Sequence, residues 1–399
     1  MPSSKLGLSV PDEKKYIGIL FFLFAVQIMS WVPRFPEVKA NLGLSNGEFG
    51  TYLSLGSVGA VIAMLSSGHF VHKLGAKPVL IISTLGMCLS ISTIVHLQST
   101  PVFIIANMIN GASISAFNIA LNAQAFHAQD RSGELILSRQ HGYWTLGAVA
   151  TAIFSGFMVE FVGIALHINV LSVVTFFIIL SVIKKLEPEM IKPSPEDDND
   201  FGVKDLFTSF RIDYLVSAAL VCGIMVEFAT ADWSAIYAKE TIGVRGSLAT
   251  IPYILTFTAM IAGRLGQHRI APYFSLQQQI KYGSVIGGVG FIGFILASSL
   301  LVDHSKTAAY ICTLLGFSIG GFFSAILSPT FFTAANKRSS QPSAVVVGQM
   351  GVTNAILTLI VKTIIAWTAQ LTGSIAIAMI IPGLMLISVA FMGRVAKDL

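Results

Sequence analysis

The sequence predicts an all-α protein that crosses a membrane twelve times, in two six-helix halves related by pseudo-symmetry. Three observations carry that expectation: the apolar content, the length of the apolar runs, and an echo across one central polar break. Hydrophobic residues make up 54% of the 399 residues and charged ones only 11%, with a mean hydropathy of +0.76. An ordinary soluble domain is about 25% charged. A soluble chain of this length cannot hide so much apolar surface, so lipid must cover part of it. The runs are long and unbroken and do not alternate with period two, which requires helices and not barrel strands.

A bilayer core about 30 Å thick takes roughly 20 apolar residues per helix. The first run, 16–32, follows Lys14 and Lys15. It is too long for a signal-peptide core and lacks a small-residue cleavage site, so it reads as an uncleaved first span. Runs at 49–70, 78–98, 101–126, 139–162 and 164–183 follow, the last two separated by a very short loop. Residues 184–211 then form the one extended polar segment, with Pro188, Pro193, Pro195 and an acidic run from Glu196 to Asp200. That composition cannot bury enough apolar area to fold alone, so it reads as a flexible linker between residues 1–183 and 212–399. Six more runs complete the count: 212–236, 248–267, 280–301, 307–333, 343–369 and 373–393.

With the N-terminus inside, nineteen lysines and arginines fall in one set of loops and five in the other. The positive-inside rule therefore places both termini in the cytoplasm. The formal charge of +5 reflects this loop bias and not a nucleic-acid footprint. Cys88, Cys222 and Cys312 all lie inside apolar runs without CxxC spacing, so neither a disulfide framework nor a metal site is expected. No HExxH, GxSxG or phosphate-binding loop appears, and the linker is too short for a signalling domain. An enzyme or sensor is accordingly disfavoured, and no cofactor is expected.

The halves echo each other. Leu42-Gly43-Leu44-Ser45 precedes span two and Ile242-Gly243-Val244-Arg245 precedes span eight; Trp31 and Trp233 close spans one and seven; His72-Lys73 and His268-Arg269 end spans two and eight. Three matches in register indicate a duplicated six-helix unit. Parallel repeats of six spans are the plan of the major facilitator superfamily, with substrate bound near the midplane between the halves. The segment from Gly68 to Lys77 resembles that superfamily's loop signature in its glycines and in Lys73 and Lys77. It departs at His72, and span eight at His268, where the family usually has aspartate. The resemblance implies a cytoplasmic gate latch at these loops, with the anionic role missing. Ser30 to Arg34, Asn118 to Gln124, Ser138 to Gly147 and Glu227 to Trp233 resemble the YbjJ-type branch of bacterial facilitator proteins, which implies a monomeric, multi-pass permease of the bacterial inner membrane.

Candidate site residues follow from polar groups inside apolar runs. Asn107, Asn110, Asn118 and Asn122 fall within an arc of about 120° on span four. They are either helix–helix glue or ligands for a hydroxylated substrate. Span seven carries Glu227 near its middle and Asp232 further out, about 140° apart, so they do not form one paired-carboxylate site. Glu227 reads as the proton-coupling group, because a carboxylate near the bilayer centre must face protein or water; Asp232 reads as an interfacial structural residue or a second proton-coupling candidate. Lys362 lies about 9 Å outward of the middle of span eleven. It either snorkels to the interface or pairs with Glu227 or Asp232. Gln349 and Asn354 share its span, and Gln27 on span one adds a further amide. Arg34 reads as a residue of the outer mouth or gate, and His141 as either a proton relay or a satisfied interfacial histidine.

The sequence thus points to proton-coupled uptake of a small polar, sugar-like solute. The alternative is proton-antiport export of amphipathic compounds, disfavoured because residues 142–163 contain no proline where such exporters usually carry a Gly-Pro signature.

Overall fold

The computed structural model describes residues 10–96, 98–132, 136–186, 213–339 and 343–396. Nearly all of them are helical, and no strand occurs among them. The expected linker, apart from its first few residues, lies outside the described residues.

The first span is two helices, α1 (Val10–Met29) and α2 (Phe35–Leu42), joined by a 3₁₀ turn at Val32–Arg34. The sequence dictates the break: Pro33 has no N–H to continue α1, whereas Pro36 sits in the first turn of α2, where none is needed. Gly43 closes α2 at φ 63°, the left-handed conformation that a side chain disfavours. The second span is likewise α3 (Asn46–Ser54) and α4 (Gly56–Leu74). Then come α5 (Ala76–His96), α6 (Thr100–Ser132), α7 (Leu137–Met158) and α8 (Ile164–Ile183). Beyond the linker lie α9 (Tyr214–Glu240), α10 (Ile251–Ile270), α11 (Leu276–Leu301), α12 (Lys306–Ser324), α13 (Leu327–Arg338) and α14 (Ser343–Thr372). The last span is α15 (Ile375–Ala378) with α16 (Ile380–Met392).

Eleven of these spans are long and apolar enough to cross a membrane by composition alone. The twelfth is α7, whose 22 residues begin with Arg139, Gln140, His141, Tyr143 and Trp144. Spans one, two and ten run longer than expected, at Glu13–Leu42, Asn46–Leu74 and Lys306–Arg338. Glu13, Lys14 and Lys39 of span one are buried, whereas His72, Lys73, Lys306, Lys337 and Arg338 at the ends of spans two and ten are exposed.

The chain forms two compact units. The first comprises Met1–Trp31, Leu55–Ser155 and Val162–Phe210, and the second Val32–Ser54, Gly156–Phe161 and Arg211–Leu399. In the first unit α4 packs on α6 almost backbone to backbone. A Cβ at Gly59 would stand 1.9 Å from the Met108 carbonyl oxygen, and one at Gly111 2.0 Å from that of Gly56. Around this contact α1, α5, α6 and α8 enclose a core that includes Phe24 stacked on Phe117 at 4.7 Å. Ile82, Leu166 and Phe177 turn outward, more than half exposed, as a lipid-facing surface requires.

In the second unit the same device recurs. Gly288 admits the Gly383 carbonyl and Gly321 that of Thr256, each leaving a Cβ only 2.6 Å of room. The buried Tyr237 donates or accepts at Ser298 and donates to the Ile295 carbonyl, tying α9 to α11. Residues 32–54 belong to this unit because α3 lies against α14. A Cβ at Gly50 would sit 2.3 Å from Ala366 Cβ and 2.8 Å from the Trp233 ring. Trp367 Nε1 donates to Thr51 Oγ1 at 3.0 Å on the same surface.

Gly59→Val is expected to force α4 off α6 and cost at least about 1–3 kcal/mol, the range for overpacking. Gly68→Val, in the same helix where a Cβ meets nothing within 4 Å, will leave the protein unchanged. Size-exclusion profiles and melting temperatures of the two purified variants check the contrast.

Candidate functional site

The polar groups inside the first unit divide into satisfied and open ones. Gln27 is buried and fully engaged by α8: its amide donates to Ser172 Oγ at 3.3 Å and its oxygen accepts from Thr175 Oγ1 at 2.6 Å. Both partners lie within one turn of α8. The asparagine stripe splits in two. Asn107 and Asn110 are buried where α4 and α5 close on α6. Asn107 lies against Gly56, and Asn110 Oδ1 accepts from Ser90 Oγ at 3.3 Å. Asn118 and Asn122, further along α6, remain open, and Asn122 donates to the Asn118 side chain at 2.7 Å. Helical angle alone made the four equivalent; the neighbours along the helix axis do not.

At the start of α1, Glu13 is nearly fully buried and accepts from Arg131 and from Gln124 Nε2, both on α6. The sequence signalled these charges only as markers of sidedness. His141 is exposed at the first turns of α7, its ring edge-on to Phe21 at 5.1 Å. His72 and Lys73 end α4 exposed to solvent, before Gly75 turns the chain at φ 87°.

The second unit holds the charged site. Lys362 on α14 reaches Asp232 on α9 at 2.7 Å, with only 14% and 10% of the two side chains exposed. Its ammonium also lies 5.6 Å from the centre of the Phe228 ring, within cation–π range. Lys362 therefore neither snorkels nor pairs with Glu227, and Asp232 is one half of a buried ion pair. Glu227, one and a half turns back along α9, is half-buried and makes no hydrogen bond or ion pair among the described residues. Its electrostatic neighbours are Arg264 and Tyr253. On α14, Asn354 Oδ1 and Thr358 Oγ1 stand one turn apart, both buried and without a partner among the described residues. They lead directly to Lys362, a further turn on. Gln349, also buried, lies five residues before Asn354 and about 140° round the helix from it.

Further polar contacts gather the ends of the second unit. Arg34 is completely buried and meets Glu37 at 3.2 Å. Lys39 bonds both oxygens of Glu240 at 2.7 and 2.8 Å. The Asn46 and Gly47 amides donate to Gln370 Oε1. Glu160, in the turn after α7, accepts from the Ser247 amide at 3.0 Å and its hydroxyl at 2.7 Å. These two bonds hold the Glu160 carboxyl below the usual glutamate range. His268 and Arg269 end α10 exposed. Apart from Arg34 with Glu37, these partners are not predictable from span patterns, because Lys39–Glu240 joins residues 201 apart and Glu160–Ser247 residues 87 apart. Among the described residues no three metal-ligating side chains come together.

A bundle of transmembrane helices with buried, unevenly satisfied polar groups defines a membrane transporter. The profile of the Major Facilitator Superfamily matches residues 17–361, and the chain belongs to that family. It is 24% identical over 378 residues, 94% of each chain, to an uncharacterized MFS-type transporter of Yersinia pestis. Its fold is similar to the crystal structure of the nucleoside transporter NupG, with a TM-score of 0.69 and 14% identity, over 97% of this chain and all of that one. It is also similar to the D-xylose-proton symporter, with a TM-score of 0.67 and 14% identity over 95% of each. The protein is thus a multi-pass transporter of small molecules with the major facilitator fold.

Removing one partner of a buried ion pair strands the other charge. Asp232→Asn or Lys362→Met alone is expected to destabilise by about 3 kcal/mol or more. The double variant will recover much of that loss, which a double-mutant cycle on melting temperatures measures. The lowered Glu160 acidity has a defined sign. Its contribution is fully present above the unfolded glutamate pKa and is lost as pH falls through the lower folded one. The melting-temperature gap between the native protein and Glu160→Gln will therefore hold above the unfolded glutamate pKa, about 4.3, and narrow as pH falls below it.

Proposed function

We propose that this transporter carries a small hydroxylated solute into the bacterial cell together with protons, by alternating access. It lies in the inner membrane as a monomer with both termini cytoplasmic. The observation that carries this reading is Glu227, a carboxylate well inside α9 with no hydrogen bond or ion pair among the described residues. Such a group is costly to keep charged inside a membrane, so an unpaired one marks a proton or ion pathway. A proton gradient acts on the cycle only through a group whose protonation differs between its two states. Asp232 is already committed to Lys362, which leaves Glu227 as the coupling group.

Neutral amides and hydroxyls fit the solute. Asn118 and Asn122 are open, and Asn354 Oδ1 and Thr358 Oγ1 are buried without partners. Buried polar atoms are rarely left unpaired unless something else occupies them. Polar groups of a hydroxylated ligand would satisfy Asn354 Oδ1 and Thr358 Oγ1. The nucleoside and D-xylose carriers of similar fold support the choice of ribose-like and sugar-like solutes as first candidates. Asn107 and Asn110 serve helix packing in this reading, and His72, Lys73, His268 and Arg269 the cytoplasmic gate.

The test is uptake into liposomes from a panel of labelled nucleosides and pentoses under an imposed proton gradient. Glu227→Gln is expected to abolish accumulation while solute exchange persists. Asn118→Ala is expected to raise the half-saturation concentration roughly 2- to 10-fold, the cost of one lost hydrogen bond, at unchanged protein yield. Normal accumulation by Glu227→Gln would move the coupling to His141 or Asp232, or make the protein a uniporter. Outward movement of amphipathic cations would favour the exporter.

A further inference from the structure

A second binding feature lies away from these groups, where α10 ends and α11 begins. The C-terminal part of α10, the first turns of α11 and the end of α12 enclose a groove of about 270 Å³. Its floor is Phe322 and Phe323, and its open side is formed by Tyr282 and Ile286, each about half exposed. Two glycines set its shape. Gly263 brings α10 onto the Phe322 carbonyl, where a Cβ would have only 2.6 Å. Gly283 leaves room on α11, where a Cβ makes ordinary contact with Phe323 at 3.4 Å and anything longer enters the groove. One end of the groove is polar, with Gln267, Gln278 and Gln279. Gln278 belongs to the Ser275 capping box and Gln279 donates to the Phe274 carbonyl, whereas the Gln267 side chain makes no hydrogen bond among the described residues.

Charge surrounds that polar end. Arg264, His268, Arg269 and Lys281 are all exposed, each adjacent or nearly adjacent in sequence to a groove residue. Between Glu240 and Asp398 the sole acidic residue is Asp303. It follows the far end of α11, roughly 35 Å along the helix from Gln278. The groove is therefore an apolar slot with amide donors and a cationic rim, its Tyr282 and Ile286 side half exposed. From Gln278 to Ile286 it runs about 12 Å along α11, the reach of a headgroup and the first part of an acyl chain.

We infer that this groove binds an anionic glycerophospholipid of the surrounding bilayer, its phosphate at Arg269 and Lys281 and one acyl chain over Phe322 and Phe323. Apolar packing and charge attraction act together, and cations near the membrane surface each strengthen anionic lipid binding measurably. A free phosphate would use the rim and leave the slot empty. A zwitterionic lipid would fill the slot and gain little from the rim.

Native mass spectrometry of the purified full-length protein, given phosphatidylglycerol, phosphatidylcholine of the same chains, or inorganic phosphate, separates these cases. Phosphatidylglycerol is expected to be retained over phosphatidylcholine, and phosphate alone to leave no adduct. Gly283→Leu, which fills the slot, will abolish the phosphatidylglycerol adduct; Ile286→Trp closes it from the open side should Gly283→Leu fail to fold. Arg269→Gln and Lys281→Gln will each lower phosphatidylglycerol affinity about fivefold and leave phosphatidylcholine unaffected. Equal retention of both lipids, phosphatidylglycerol binding that survives a filled slot, or phosphate binding at the rim without lipid preference would overturn the proposal.

Discussion

The structure depends on how closely its helix backbones approach one another. In lipid, burying one apolar side chain against another gains little, because the tails are equally apolar; association rests on van der Waals contact and hydrogen bonds. Both become available when a glycine removes the Cβ from the contact. The pairs Gly59–Met108, Gly111–Gly56, Gly288–Gly383 and Gly321–Thr256 are backbone contacts of this kind. They fix α4 on α6, α11 on α16 and α10 on α12. The large apolar side chains are thereby freed for the lipid face, where Ile82, Phe177 and Leu384 stand more than half exposed.

Tight packing determines which polar groups are used up by the fold. Gln27, Asn110 and Tyr237 are placed where a neighbouring helix offers a partner, and they hold the bundle together. Asp232 and Lys362 satisfy each other. What remains is a short set that the fold leaves open: Glu227, Asn118, Asn122, Asn354 Oδ1 and Thr358 Oγ1. In a membrane protein an unspent polar group is costly, and its retention is the mark of a ligand or proton path.

A different chemistry holds the ends of the second unit. Lys39–Glu240, Glu160–Ser247, Gln370 with the Asn46 and Gly47 amides, and Trp367–Thr51 are polar contacts at or near the surface. Exposed ion pairs are worth about 0–1 kcal/mol each. Such contacts fasten residues 32–54 and 156–161 to this unit without the permanence of backbone packing.

The sequence by itself determined the class and the count. Apolar runs of bilayer length are local matters, legible because burial cost acts residue by residue, whereas the continuation of the first span past Pro33 to Leu42 was not read from the sequence. The span whose composition falls short, α7, was still visible from its length between two loops. Glu227 and Lys362 were visible as charges in apolar runs. Their partners were not, because which carboxylate Lys362 meets depends on the rotation of α9 against α14, and no periodicity reports that. Asn107, Asn110, Asn118 and Asn122 share one face by helical angle, yet only tertiary structure decided that α4 and α5 consume the first two and leave the others open. The groove of α10, α11 and α12 is likewise tertiary: Gln267, Gln278 and Gln279 line it together only because Gly263 lets α10 close on the Phe322 carbonyl.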